Sequence, residues 1–394
     1  MGLLSVCSAL AWRINEENFL KNVDAISNLK LRLSWGQSGQ CAIDPYQTVG
    51  LLGNSTYSFN NEGAYGFYPK TMSNKELTWE TTTQYNLGLD FGFFNNRISG
   101  SIDIYKAETR DILMNRVIPS INGYASVMEN IGKTESTGVD LTLSTVNIQN
   151  KNFSWFSDFS LSHNREKIKE LASGQLKDEA NAWFVGEPFK VFYDYKKEGI
   201  WQLGEEAAAA ANGQEPGDIK VQDVDGNGVI TTDDRIIYSQ RPDVTFGFNN
   251  TFNYKGFDLS VFLYARLGQW IAYDYNTTYR INALENGGNV DYWTPENPTN
   301  AFPRPNKSKS YTQVTYYSTL KYEDGSFFKI RDITLGYTFK PELLKHLNLS
   351  RLRVYATAKN FFTFSKIDNY DPEQGGSISF PMTKQLVFGL NVEF

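Results

Sequence analysis

The residues with the strongest claim to chemistry stand at 223–234, where Asp223, Asp225 and Asn227 alternate before Gly228 and Asp234 follows six residues after that glycine. This spacing matches the D-x-D-x-N-G pattern of a calcium loop. Oxygens at loop positions one, three and five surround a hard cation, the glycine permits the sharp turn, and the Val229 carbonyl is the expected backbone ligand. Asp234 closes the shell, although Asp in place of the usual Glu shortens the reach toward a bidentate contact. The expected cofactor is calcium, a structural staple for a loop rather than a catalytic metal. Its expected ligands are Asp223, Asp225, Asn227, Val229 and Asp234, and the plainer alternative is a solvated acidic turn.

Catalysis finds little footing elsewhere. His163 and His346 are the only histidines, one in a strand pattern and one in a turn, so neither a histidine triad nor a multi-histidine metal site is spelled out. Gly36-Gln37-Ser38-Gly39 lacks the G-x-S-x-G spacing of a nucleophile elbow, and no phosphate-binding loop or dinucleotide fingerprint is present. Cys7 and Cys41 are the only cysteines, far apart and in no CxxC spacing, and read as two stray thiols, with a single bridge as the alternative. A net charge of -6 offers no basic footprint for nucleic acid. The chain reads as a non-enzyme.

The elements that carry these residues follow from a period of two. In 385–394 the residues Leu386, Phe388, Leu390, Val392 and Phe394 share one face, while Gly389, Asn391 and Glu393 share the other. An outer-membrane barrel needs this pattern in its last strand, which faces lipid on one side. Alternation recurs near 8–14 and in 29–35, then in 85–93 and 98–104 around Asn95-Asn96, a hairpin signal. Further pairs join 139–144 to 153–162, 244–254 to 257–263 through Lys255-Gly256, and 333–339 to 352–356. Leu343, Leu344, Lys345 and His346 read as one helical turn in the last of these links, and Glu205-Glu206 with Ala207 to Ala211 as a short helix with carboxylates at its N-terminus.

Mean hydropathy is -0.43, and no apolar run approaches the ~18 residues of a spanning helix. A barrel strand needs only about ten residues and shows lipid at every second one, so a polar average suits it. Abundant aromatics (Phe 27, Tyr 23, Trp 8) fit aromatic girdles at the membrane interfaces. Short links after Phe94, Asn147, Tyr254 and Phe339 alternate with longer ones after Trp35, Arg110, Asn164, Gly268 and Phe364. Short turns on one side and long loops on the other are the habit of such barrels, and the count comes to about eleven antiparallel strands. An odd count ending on the short-turn side implies that at least one further strand precedes the chain.

Several segments resemble one family. They are LTWETTTQYNLGLD at 77–90, PGDI at 216–219 before the calcium-like loop, YWTPENP at 292–298, DGSFFKIRDITLGY at 324–337, and KNFFTF at 359–364 with Asp371-Pro372-Glu373. In this order they resemble SusC/RagA-type TonB-linked outer-membrane transporters. The resemblance implies an all-β fold, the C-terminal half of a barrel of about 22 strands, with residues 1–394 forming barrel wall. It also implies uptake of glycans or oligopeptides with a SusD-like surface lipoprotein, energised through TonB. The family's signal peptide, plug and TonB-contacting segment match nothing in 1–394 and are expected upstream of Met1.

An unclosed half-barrel leaves open sheet edges, which are costly in hydrocarbon, so the segment is not expected to transport alone. Trp201, Tyr292 and Trp293 in the long loops are placed either to stack on sugar rings or to pack the loops together. The competing reading is a secreted or surface glycan-binding β-protein stabilised by calcium. It shares the aromatics and the acidic loop but not the alternating link lengths.

Overall fold

The computed structural model describes residues 5–394 apart from 42, 44, 45, 47, 125, 172, 173, 283, 285, 286 and 345–347. Among the described residues eleven strands lie in one sheet, each beside its neighbour in sequence. They are β1 (Val6–Arg13), β2 (Ile26–Gln40), β3 (Glu80–Phe93), β4 (Ile98–Val117), β5 (Ser126–Gln149), β6 (Phe153–Glu170), β7 (Val244–Tyr254), β8 (Phe257–Leu267), β9 (Phe327–Thr338), β10 (Arg351–Ser365) and β11 (Gln385–Glu393). By density of internal packing the chain divides into two units, Met1–Thr142 with Ser162–Phe189, and Leu143–Leu161 with Lys190–Phe394.

In the first unit the antiparallel register places Leu31 beside Leu89, and Leu89 beside Ile102, so one face of β2–β4 is apolar. One residue along, Arg32 pairs with Gly88 and Gly88 with Asp103, which makes the other face polar. A period of two in the sequence thus becomes two chemically different surfaces. The turn between β3 and β4 takes Phe94, Asn95 and Asn96 through left-handed backbone (φ 54°, 59° and 59°), a region that asparagine enters at low cost.

The second unit repeats the arrangement. Val354 lies between Tyr337 and Leu390, and Ala356 between Leu335 and Phe388, on the apolar face. Lys255 and Gly256 both have positive φ (48° and 93°) and close the β7–β8 hairpin as the two-residue turn expected there.

Three features differ from the sequence expectation. The long connection expected after Arg110 is largely strand, since β4 runs to Val117 and β5 starts at Ser126. Asp111 has φ 58°, and this irregularity breaks the alternation that a period-two reading follows. A hairpin of Leu52–Phe59 with Glu62–Pro69 fills part of the β2–β3 loop; its aromatics fall on both faces, which leaves no alternation to read. The one-turn helix is present at Pro341–Leu344, while Lys345 and His346 lie outside the described residues.

Candidate functional site

Within the second unit, the segments 190–243 and 268–326 fold against each other. Val191–Tyr195 pairs with Arg235–Ser239, Lys197–Ile200 with Ile219–Val221, and Trp270–Ala272 with Tyr322–Asp324. Ile200, Ile219 and Val221 then bury their side chains against Trp293, Tyr317 and Leu320 from the other segment. Loops of this length commonly lie open on a surface; these two share a core of their own.

Trp201 and Trp293, offered by the sequence for either stacking or packing, are part of this structure. Trp293 is 4% exposed and donates its Nε1–H to Gln202 at 2.8 Å. Trp201 is 7% exposed, donates to Gln214 at 2.8 Å, and carries the Lys220 ammonium 4.6 Å above its ring. Tyr292 remains partly exposed and stacks on Tyr279. Lys197 and Glu323 each stand in a short strand of these two segments. Burial lowers the Lys197 pKa and raises that of Glu323, and in each case the charge of the other opposes the shift.

The acidic loop lies beside this core. Carboxylate oxygens of Asp223, Asp225 and Asp234 fall within 4.8 Å of one another, so the structure gathers three of the five expected ligands. Gly226 and Gly228 adopt left-handed backbone (φ 71° and 81°), which glycine enters without strain. Asp223 accepts from Gly226 and Gly228 N–H, both at 2.8 Å. Asn227 Oδ1 accepts from Val229 N–H at 2.7 Å, and its Nδ2–H donates to Asp225.

Asp234 is fully buried and accepts from Thr231 N–H at 2.7 Å and Val224 N–H at 2.8 Å, one on each oxygen. These bonds, that from Thr231 foremost, hold its carboxyl below the usual aspartate range. An ionised carboxylate has about four lone-pair sites, so each acid keeps acceptor capacity. With both oxygens already engaged, Asp234 is suited to a one-oxygen contact.

On the polar face of the sheet two bridges share one design. In the first unit Arg32 of β2 donates to Asp90 at 2.8 Å and to Asp103 of β4 at 3.0 Å. It reaches β4 over Gly88, where an added Cβ would stand 2.6 Å from both the guanidinium carbon and an Asp103 oxygen. In the second unit Arg353 of β10 donates to Asp258 of β8 at 2.9 Å over Gly336 of β9. Sequence reading missed both, and the signal available was a glycine at a polar-face position within an unbroken strand.

Buried Lys329 of β9 anchors the last long loop through Asp371 at 2.6 Å and Glu373 at 2.7 Å. Glu373 also meets Arg331 at 3.3 Å. The Lys329-x-Arg331 pair and the Asp371-Pro372-Glu373 run thus meet as opposite charges.

Residues 8–361 match the family model described as TonB dependent receptor-like, beta-barrel. TonB-dependent receptor P26 of Formosa agariphila is 34% identical over 418 residues, which cover 98% of this chain and 42% of that protein. TonB-dependent receptor SusC of Bacteroides thetaiotaomicron is 34% identical over 421 residues, covering 98% and 39%. The solved structure of the RagAB peptide transporter superimposes with a TM-score of 0.80 at 26% identity, covering 99% of this chain and 43% of that one. The chain therefore spans about two fifths of the length of the curated relatives it matches. With an apolar strand face for lipid and a polar face for the lumen, the chain belongs to the TonB-dependent receptor β-barrel family of the outer membrane.

Proposed function

We propose that this chain forms lumen wall and external loops of an importer that takes up oligomeric nutrients, glycans or oligopeptides, energised through TonB and working with a SusD-like surface lipoprotein. The observation that carries the reading is the similarity over nearly the whole chain to both SusC and the RagAB peptide transporter. Burial of Trp201 and Trp293 removes them as sugar-stacking platforms, so those two rings lend glycans no advantage over peptides. The test is uptake of fluorescent oligosaccharide and oligopeptide pools by cells expressing the full-length receptor with its lipoprotein, with and without an uncoupler. Energy-dependent accumulation of one pool supports the reading; accumulation of neither in cells with folded receptor contradicts it.

The acidic loop supports a second, separate assignment: calcium held by Asp223, Asp225 and Asp234, with Asn227 and the Val229 carbonyl completing the shell. The three converging carboxylates support it, and the role is structural, fixing the loop beside its core. Calorimetry on the full-length protein should show a site with Kd on the order of 10⁻⁴–10⁻³ M, the range of extracellular calcium modules. No calcium heat at millimolar concentration would leave only an acidic turn.

A further inference from the structure

The apolar face of the first unit does not end in neutral side chains. Leu33, Leu87, Ile104 and Val139 line an open groove of about 380 Å³ together with Lys106, His163 and Arg165. Along β4 the alternation that carries Ile102 and Ile104 continues in phase into Lys106, Glu108 and Arg110. On β5 the phase of Val139 carries Lys133 and Glu135, and on β6 Arg165, Lys167 and Lys169 alternate likewise. Six cations and two carboxylates thus stand on three neighbouring strands, just beyond the apolar rows.

The carboxylates are already committed. Glu135 is shared by Lys106 at 2.9 Å and Lys167 at 3.0 Å, while Glu108 lies 3.4 Å from Lys133 and also meets Arg110. Arg165 is exposed and makes no ion pair among the described residues. A Lys or Arg turned toward acyl chains costs ~2–4 kcal/mol at the membrane midplane and ~0–1 kcal/mol near an interface. The patch therefore belongs at an interface. The short β3–β4 turn lies at the opposite end of these strands, which puts the patch on the external side.

We infer that this face binds a phosphorylated acyl lipid of the outer leaflet. Its chains lie along Leu33, Leu87, Ile104 and Val139, and its phosphate is held by Arg165 with Lys106 and Lys167. The vertical order of the site, apolar groove below and excess positive charge above, matches the order of acyl chain and phosphate in such a lipid. Charge-assisted bonds from Arg to phosphate supply the specificity. The inference rests on the lipid-facing assignment of this surface and is independent of transport.

The test uses the full-length receptor in phosphatidylcholine nanodiscs doped with a diphosphorylated, multi-acylated glucosamine lipid, with retained lipid counted by native mass spectrometry. We expect retention to fall at least tenfold in K106Q/R165Q/K167Q and when the lipid is dephosphorylated, and to be unchanged in K340Q, at the short-turn end. Heat-dependent gel migration reports folding. Should the triple variant fail it, R165Q alone, which breaks no ion pair among the described residues, should lower retention at least threefold. Equal retention in the folded variants, or of the dephosphorylated lipid, would overturn the site. Displacement by millimolar inorganic phosphate would show a simple anion patch and overturn the lipid assignment.

Discussion

At the scale of single residues, Asp234 shows how a candidate ligand can be structurally committed before any metal arrives. It accepts the Thr231 and Val224 N–H groups and completes a capping box with Thr231. Its pKa is depressed by these bonds, so the stability it contributes is present above the ordinary aspartate range and lost as pH falls through the depressed value. Hydrogen exchange of residues 223–234 should stay protected from neutral pH to the ordinary aspartate range and open only below it; opening well above that range would contradict this. Asp234→Ala should expose the loop to protease and, under the proposed calcium assignment, remove the heat of calcium binding, whereas Val224→Ala should change neither. The D-x-D-x-N-G spacing made the convergence of Asp223, Asp225 and Asp234 legible. The buried amide bonds were not legible, because backbone donors carry no residue signature.

At the scale of elements, lone side chains decide whether strands and loops stay together. Lys329 is fully buried between Asp371 and Glu373, and Lys329→Met would leave Asp371 without its cation and Glu373 with Arg331 alone. Breaking a buried ion pair typically costs ~3–5 kcal/mol, so the temperature of heat-dependent gel migration should drop and the 366–384 loop should become protease-sensitive. Gly88→Ala and Gly336→Ala should each cost up to about 1 kcal/mol, because the new Cβ displaces the ends of a partly exposed Arg–Asp bridge. Gly63→Ala, with open space around it, should be silent in the same denaturation assay. The strands were legible because lipid and lumen impose a strict period of two. The bridges were not, since Arg32 reaches partners 58 and 71 residues away. Nor was the shared core of segments 190–243 and 268–326, in which Ile200 and Trp293 pack without any periodic pattern.

At the scale of the molecule, eleven strands follow one another in sequence order in one sheet, and within each unit one strand face is apolar, for lipid, and the other polar, for the lumen. The same alternation that built the fold from sequence also predicts the environment of residues in the unbroken stretches of the sheet strands, and β11 is the sharpest place to look. In the full-length receptor in lipid, with Cys7 and Cys41 replaced by serine, spin labels at successive positions 385–393 would report access to oxygen, which concentrates in acyl chains, and to a polar nickel chelate. The account predicts oxygen maxima at 386, 388, 390 and 392 and chelate maxima at 387, 389 and 391. Equal access along the strand, or a strand wetted by the chelate at every position, would contradict the assignment of this chain to the membrane wall.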